Sequence, residues 1–110
     1  MPAISSQLLM QSLQVFMKIE GIIWLREVVD KILSKHSVEP QEVQEVMERS
    51  PKIRFVESGD RKSEDVYMAL GTTESGRYLA VLFIYKKTKE ALILSARAMA
   101  DKEKTLYAKK

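Results

Sequence analysis

Three side chains near the carboxyl end of the chain, Arg97, Glu103 and Tyr107, are of types that handle phosphate. An arginine forks onto two phosphate oxygens, a carboxylate moves a proton, and a phenol donates a hydrogen bond to developing negative charge. They lie within Ala91–Lys110, which reads ALILSARAMADKEKTLYAKK. A short apolar run, Ala91–Leu94, ends at Ser95-Ala96-Arg97, and a helical pattern follows over Asp101–Ala108. Four residues apart on such a helix, Glu103 and Tyr107 share a face, while Arg97 projects from the strand end that feeds it. The same spacing also fits a purely structural junction, an Arg–Glu ion pair with a tyrosine packed on a sheet.

Other residues extend the candidate corner. Arg77 opens an apolar strand, and antiparallel pairing of that strand with Ala91–Ala96 would bring it close to Arg97, two arginines at one sheet end. His36 is the only histidine, so no multi-histidine metal site can be built. It is either a general base or the last residue of a helix, where a cation suits the dipole. Trp24 and Tyr78 can stack on bases or fill a core. No phosphate-loop glycine pattern, metal-ligand cluster or nucleophile elbow is present, which argues against nucleoside-triphosphate hydrolysis, zinc chemistry and serine hydrolysis.

The elements that must position these residues follow from periodicity. Residues 18–24 read as an edge strand. Arg26–His36 reads as a helix with Val28, Val29, Ile32 and Leu33 as its apolar stripe and Lys35 and His36 in its last turn. Glu39-Pro40 opens a second helix that buries Val43, Val46 and Met47 and stops at Ser50-Pro51. The period then changes from 3.6 to 2, predicting strands over 52–57, 65–70, 77–85 and 91–96, with the longest, Arg77–Tyr85, apolar on both faces and therefore central. Short connections favour an antiparallel meander of four or five strands, an α+β fold with two early helices and one late helix packed on the sheet.

With 110 residues the chain makes one domain, and with no cysteine it has neither disulfides nor thiolate metal sites. No apolar run approaches a membrane span, and a reducing compartment fits. The first sixteen residues carry no charged side chain, and Ile4, Leu8, Leu9, Leu13 and Phe16 recur at helical spacing. They read as an extension, helical or upstream of a start at Met17, and not as a secretory signal. Charge is unevenly spread. Met17–Glu48 holds Lys18, Arg26, Lys31 and Lys35 against seven carboxylates, net −3, while Arg77–Lys110 holds nine basic residues against Glu90, Asp101 and Glu103, net +6. A polyanion or an acidic partner suits that basic end.

From Met17 onward the chain resembles the BrnT-type toxins of bacterial type II toxin–antitoxin systems. The matching pieces are Lys35-His36-x-Val38 followed by Glu42-Val43-x-Glu45-Val46, then Tyr67-x-Ala69-Leu70-Gly71, then Gly76-Arg77-Tyr78-Leu79, and last Ser95-Ala96-Arg97-x-Met99-x-x-x-Glu103-x-x-x-Tyr107. The resemblance implies a RelE-like fold over residues 17–110 and cytoplasmic, metal-independent RNA cleavage with no cofactor, in which a ribose 2′-OH attacks the adjacent phosphate. It also implies neutralisation by an antitoxin with a ribbon-helix-helix DNA-binding domain, and it allows a homo-oligomer when the antitoxin is absent. Carried over by residue, Arg97 and Arg77 would stabilise the phosphorane, Glu103 or His36 would be the acid or base, and Tyr107 would position phosphate or stack a base. Trp24, Tyr78, Lys35 and Lys102 would contact the RNA. The chain departs from the family's usual pattern at Ser37, where glycine is usual, at Ala100, where a capping Ser or Thr is usual, and at Leu25, where an acid is frequent. A catalytically silent member that binds an antitoxin-like protein or RNA through the basic face is the rival reading.

Overall fold

The computed structural model describes residues 17–59 and 64–109; the expectations for residues 1–16 fall outside them. A short strand β1 (Gly21–Ile23) leads into helices α1 (Arg26–His36) and α2 (Pro40–Glu48). Four strands follow, β2 (Lys52–Glu57), β3 (Val66–Thr72), β4 (Tyr78–Tyr85) and β5 (Glu90–Ala98), and α3 (Asp101–Ala108) closes the fold. Alpha1 stops at Ser37, whose φ of 53° and ψ of 39° are left-handed, and Val38 N–H donates to Ile32 O at 2.9 Å. A side chain in that conformation crowds its own carbonyl, which glycine avoids. Ser37→Gly therefore raises stability by about 1 kcal/mol, read as a higher urea midpoint at unchanged slope; an unchanged midpoint would contradict this.

The sheet order is β1-β5-β4-β3-β2. Beta2 to β5 form the expected antiparallel meander, and β4 is its central strand. Beta1 departs from the expectation: it pairs in parallel with β5, Gly21 opposite Glu90 and Ile23 opposite Leu92. The reason lies in the two helices, which carry the chain across one sheet face to the opposite edge. The strand is also shorter than residues 18–24, although Lys18 O accepts from Tyr85 OH at 2.6 Å and Glu20 N–H donates to Lys89 O at 2.8 Å.

The two faces of the sheet are covered unequally. Alpha1 and α2 lie over one face and bury Ile32, Val43, Val46, Val81, Phe83 and Ile93 against each other. On the other face the short α3 covers only a small cluster of Leu70, Ala80 and Met99, with Met68, Leu106 and Tyr107 against it. Gly71 lets α2 approach the sheet, since a Cβ there would stand 3.0 Å from Val46 Cγ1 and 3.4 Å from Pro51 Cβ.

One irregularity decides where Arg97 points. The β4–β5 register shifts between Leu82, opposite Ser95, and Phe83, opposite Ile93. Strict alternation from Ala91 and Ile93 would send Arg97 toward the helices α1 and α2. The bulge buries Ala96 instead and turns Arg97 to the α3 face.

Candidate active site

Arg97 and Glu103 meet in a two-pronged ion pair, Nη1 to Oε1 at 2.6 Å and Nη2 to Oε2 at 2.7 Å. The strand end supplies the arginine and the first turn of α3 the carboxylate. Ala100, in extended conformation, is the N-cap and has no side-chain acceptor to offer. Glu103 compensates from the third helical position by accepting Ala100 N–H at 2.8 Å. Asp101 is thus the first helical residue and Glu103 the third.

The electrostatics follow from this geometry. The Arg97 hydrogen bonds hold the Glu103 carboxyl below the ordinary carboxylate range, with the Ala100 N–H and the guanidinium charge acting the same way against partial burial. The same bonds raise the Arg97 guanidinium. A carboxyl with a depressed folded-state pKa contributes stability above its unfolded value, near 4.3, and loses it as pH falls through the folded value. Glu103→Gln should therefore show a shallower loss of stability below about pH 4.3 than the parent in acid titrations of urea unfolding. Identical acid limbs would contradict this coupling.

The mode of pairing leaves part of the arginine available. Glu103 takes the end of the guanidinium, and the second proton of Nη1 faces Ala98 O at 3.2 Å. What remains is the side edge, Nε–H with the second proton of Nη2, a fork that matches two phosphate oxygens. The Arg97 side chain is 38% exposed against 13% for Glu103, so the arginine is the more open of the two to solvent.

Tyr107 and Tyr78 complete the corner. Their rings meet edge to face at 5.9 Å, and Tyr78 is 45% exposed. Lys52, which no sequence motif singles out, opens β2 and donates to Tyr107 O at 2.5 Å and to Lys109 O, capping the C-terminus of α3. Its ammonium also stands 5.5 Å from the Tyr107 ring centre. Only the β2–β3 register, which puts Lys52 opposite Leu70, could have placed it on this face. Arg54, opposite Met68, shares the face, and Lys102 is exposed on α3.

The remaining expected residues lie elsewhere. Arg77 stands at the same sheet end as Arg97 but on the opposite face, which corrects the expected pairing of the two arginines. Alternation from buried Leu79 aims it at the helices, where it donates to Ser37 O at 2.7 Å, His36 O at 3.2 Å and Glu42 Oε1 at 3.0 Å. It therefore clamps the C-terminus of α1 to the first turn of α2. Glu42 also accepts Glu39 N–H at 3.0 Å, so the two Arg–Glu pairs repeat one device on the two faces. His36 and Lys35 end α1 on that side, and Trp24 packs against the helix-side core. The sheet separates all four from Arg97. Among the described residues no group of three or more His, Asp or Glu is placed to hold a metal ion, and no helix is long and apolar enough to cross a membrane.

A mixed five-stranded sheet with two helices on one face and, on the other, a short helix whose first turn pairs with a strand-end arginine defines a small α+β protein. Residues 24–103 match the family described as "Ribonuclease toxin, BrnT, of type II toxin-antitoxin system", and the chain belongs to that family. The crystal structure of the Brucella abortus ribonuclease toxin BrnT superposes with a TM-score of 0.54 at 18% identity, covering 74% of this chain and 97% of that one, so the α+β fold is shared. No curated protein matches the chain by sequence.

Proposed function

We propose that the chain is a metal-independent RNA endonuclease that acts in the bacterial cytoplasm at the α3 corner. The observation that carries this reading is partly exposed Arg97, held end-on by Glu103, with Tyr78 and Tyr107 paired on the same face of the sheet. RNA contains its own nucleophile. Attack of a ribose 2′-OH on the adjacent phosphorus adds negative charge to the non-bridging oxygens and expels the 5′-oxygen of the next nucleotide, the 2′-OH proton passing to water and the leaving oxygen taking a proton from water. The Nε–H and Nη2–H pair donates to those oxygens more strongly as the charge grows, which is the form of binding that lowers a barrier. Glu103 acts chiefly by fixing Arg97, because a carboxylate held by two arginine bonds and a backbone N–H is a weak proton acceptor. The Tyr78 and Tyr107 phenols supply donors and a base-stacking wall beside the phosphate, and exposed Lys102 contacts the backbone.

Arg77 supports the fold in this reading, and His36, Lys35 and Trp24 stand away from the reacting phosphate. A toxin of a type II system has a cognate antitoxin, and we assign it a ribbon-helix-helix DNA-binding domain and an acidic segment that lies over the basic corner. Freed of it, the chain has room to self-associate. Induced expression of the full chain in a bacterial host tests the reading. It predicts growth arrest with RNA breakdown, relieved by co-expression of the neighbouring antitoxin gene; normal growth at high soluble levels would instead favour the silent binding module.

A further inference from the structure

An open concavity lies at the far end of the sheet from Tyr78, between the start of β3 and the β4–β5 turn. It has a volume of about 290 Å³ and is lined by Asp65, Tyr67, Tyr85, Lys86, Lys87 and Lys89. Both rings are fixed: Tyr67 stacks on Phe83 at 5.9 Å, and the Tyr85 hydroxyl is tied to Lys18 O. Three lysines and one carboxylate line it, net +2, and Asp65 already accepts Gly59 N–H at 3.2 Å. None of the salt bridges among the described residues involves these lysines.

The turn itself carries an unexplained cost. Lys89 N–H donates to Lys86 O at 2.9 Å, and Lys89 adopts a φ of 69°. Glycine or asparagine fills such a position with less strain. A lysine kept there brings a third cation to the cleft and makes no hydrogen bond of its own side chain among the described residues.

We propose that this cleft holds one nucleotide of a single-stranded RNA, its phosphate on Lys86, Lys87 and Lys89 and its base against the tyrosine walls, and so serves as a remote anchor for the substrate. The proposal rests on the ribonuclease reading. The volume suits one nucleotide, and aromatic walls beside ammonium groups select a base with its phosphate over a bare anion. Beta4 has eight residues, so the cleft lies about 23 Å along the strand from the Tyr78 end, and on the opposite face. A bound nucleotide there cannot touch the phosphate reacting at Arg97. The cleft thus raises affinity for long RNA and leaves the chemical step alone.

The test uses the full chain, a Lys87→Gln/Lys89→Gly variant, and 2′-O-methyl oligonucleotides of fifteen and three residues, which bind without being cleaved. Glycine at position 89 relieves the left-handed strain, so the variant melts at the same temperature or higher and a binding loss is not a folding loss. Expected is an affinity for the 15-mer about three- to tenfold weaker, with the salt slope reduced by about 0.7 for each phosphate that is no longer neutralised, and a smaller change for the 3-mer, which cannot reach the cleft and the Arg97 corner together. On cleavable RNA, KM should rise for the long substrate at constant kcat. Equal affinity and slope in both proteins would overturn the anchor, as would an equal loss on the 3-mer, which would mean a general field effect. If the parent cleaves RNA and the variant loses nothing, the anchor falls and the nuclease stands. If the parent cleaves nothing yet the variant loses 15-mer affinity, the nuclease falls and the RNA-binding cleft stands.

Discussion

On the proposed mechanism Arg97→Ala should lower the rate of RNA cleavage by about 10²–10³-fold, the loss seen when one pre-positioned donor to a developing oxyanion is removed. The effect falls on kcat, because the fork donates most strongly after the 2′-OH has added to phosphorus. Arg97→Lys recovers part of the rate at most, since an ammonium cannot bond Glu103 with one edge and phosphate with the other. Arg77→Ala should behave in the opposite way. It removes three hydrogen bonds between α1, α2 and β4, costs about 1.5–3 kcal/mol of stability, and leaves the rate per folded molecule near that of the parent. Steady-state kinetics on a defined single-stranded RNA, with urea unfolding of each variant, separates the two arginines. Equal rate losses in both would place the reacting phosphate elsewhere.

Phe83→Ala is the largest expected stability loss. Phe83 is fully buried at the centre of the middle strand and stacks on Tyr67. Truncation removes its burial and leaves a cavity that flanking strands cannot close, at a cost of about 3–5 kcal/mol. A domain of this size has about 5–15 kcal/mol in total, so the variant should be partly unfolded near 37 °C. Phe83→Leu, which fills most of the space, should cost less than half as much. A loss below about 1 kcal/mol for the alanine variant would mean that the core under α1 and α2 repacks far more freely than close-packed interiors do.

Much of this architecture is legible in the residues. The helix over Asp101–Ala108 and the central position of β4 follow from periodicity, and the left-handed conformation of Ser37 stands where the resemblance marks a usual glycine. The Arg97–Glu103 contact is legible as well, because a strand end and the first turn of the next helix leave little room for another arrangement. Which face each arginine takes is not. Arg97 reaches the α3 face only through the bulge opposite Leu82 and Phe83, and nothing in ALILSARA marks which residue is skipped. Arg77 is drawn to the other face by carbonyls at the end of α1, partners forty residues away in sequence. The parallel pairing of β1 is hidden for a similar reason: a three-residue strand takes its direction from the helices that follow it, not from its own pattern. Lys52 likewise acquires its role only once β2 and β3 are in register.

In the proposed reaction the RNA's own 2′-OH is directed at the phosphate held by Arg97. The most direct measurement is incubation of the purified full chain with a single-stranded RNA in excess chelator, beside the same sequence with 2′-O-methyl groups throughout. The account predicts cleavage of the first only, giving 2′,3′-cyclic phosphate and 5′-hydroxyl ends, and none by the Arg97→Ala variant. Cleavage of the methylated strand, ends bearing a 3′-hydroxyl and 5′-phosphate, or activity that vanishes with the chelator would contradict it.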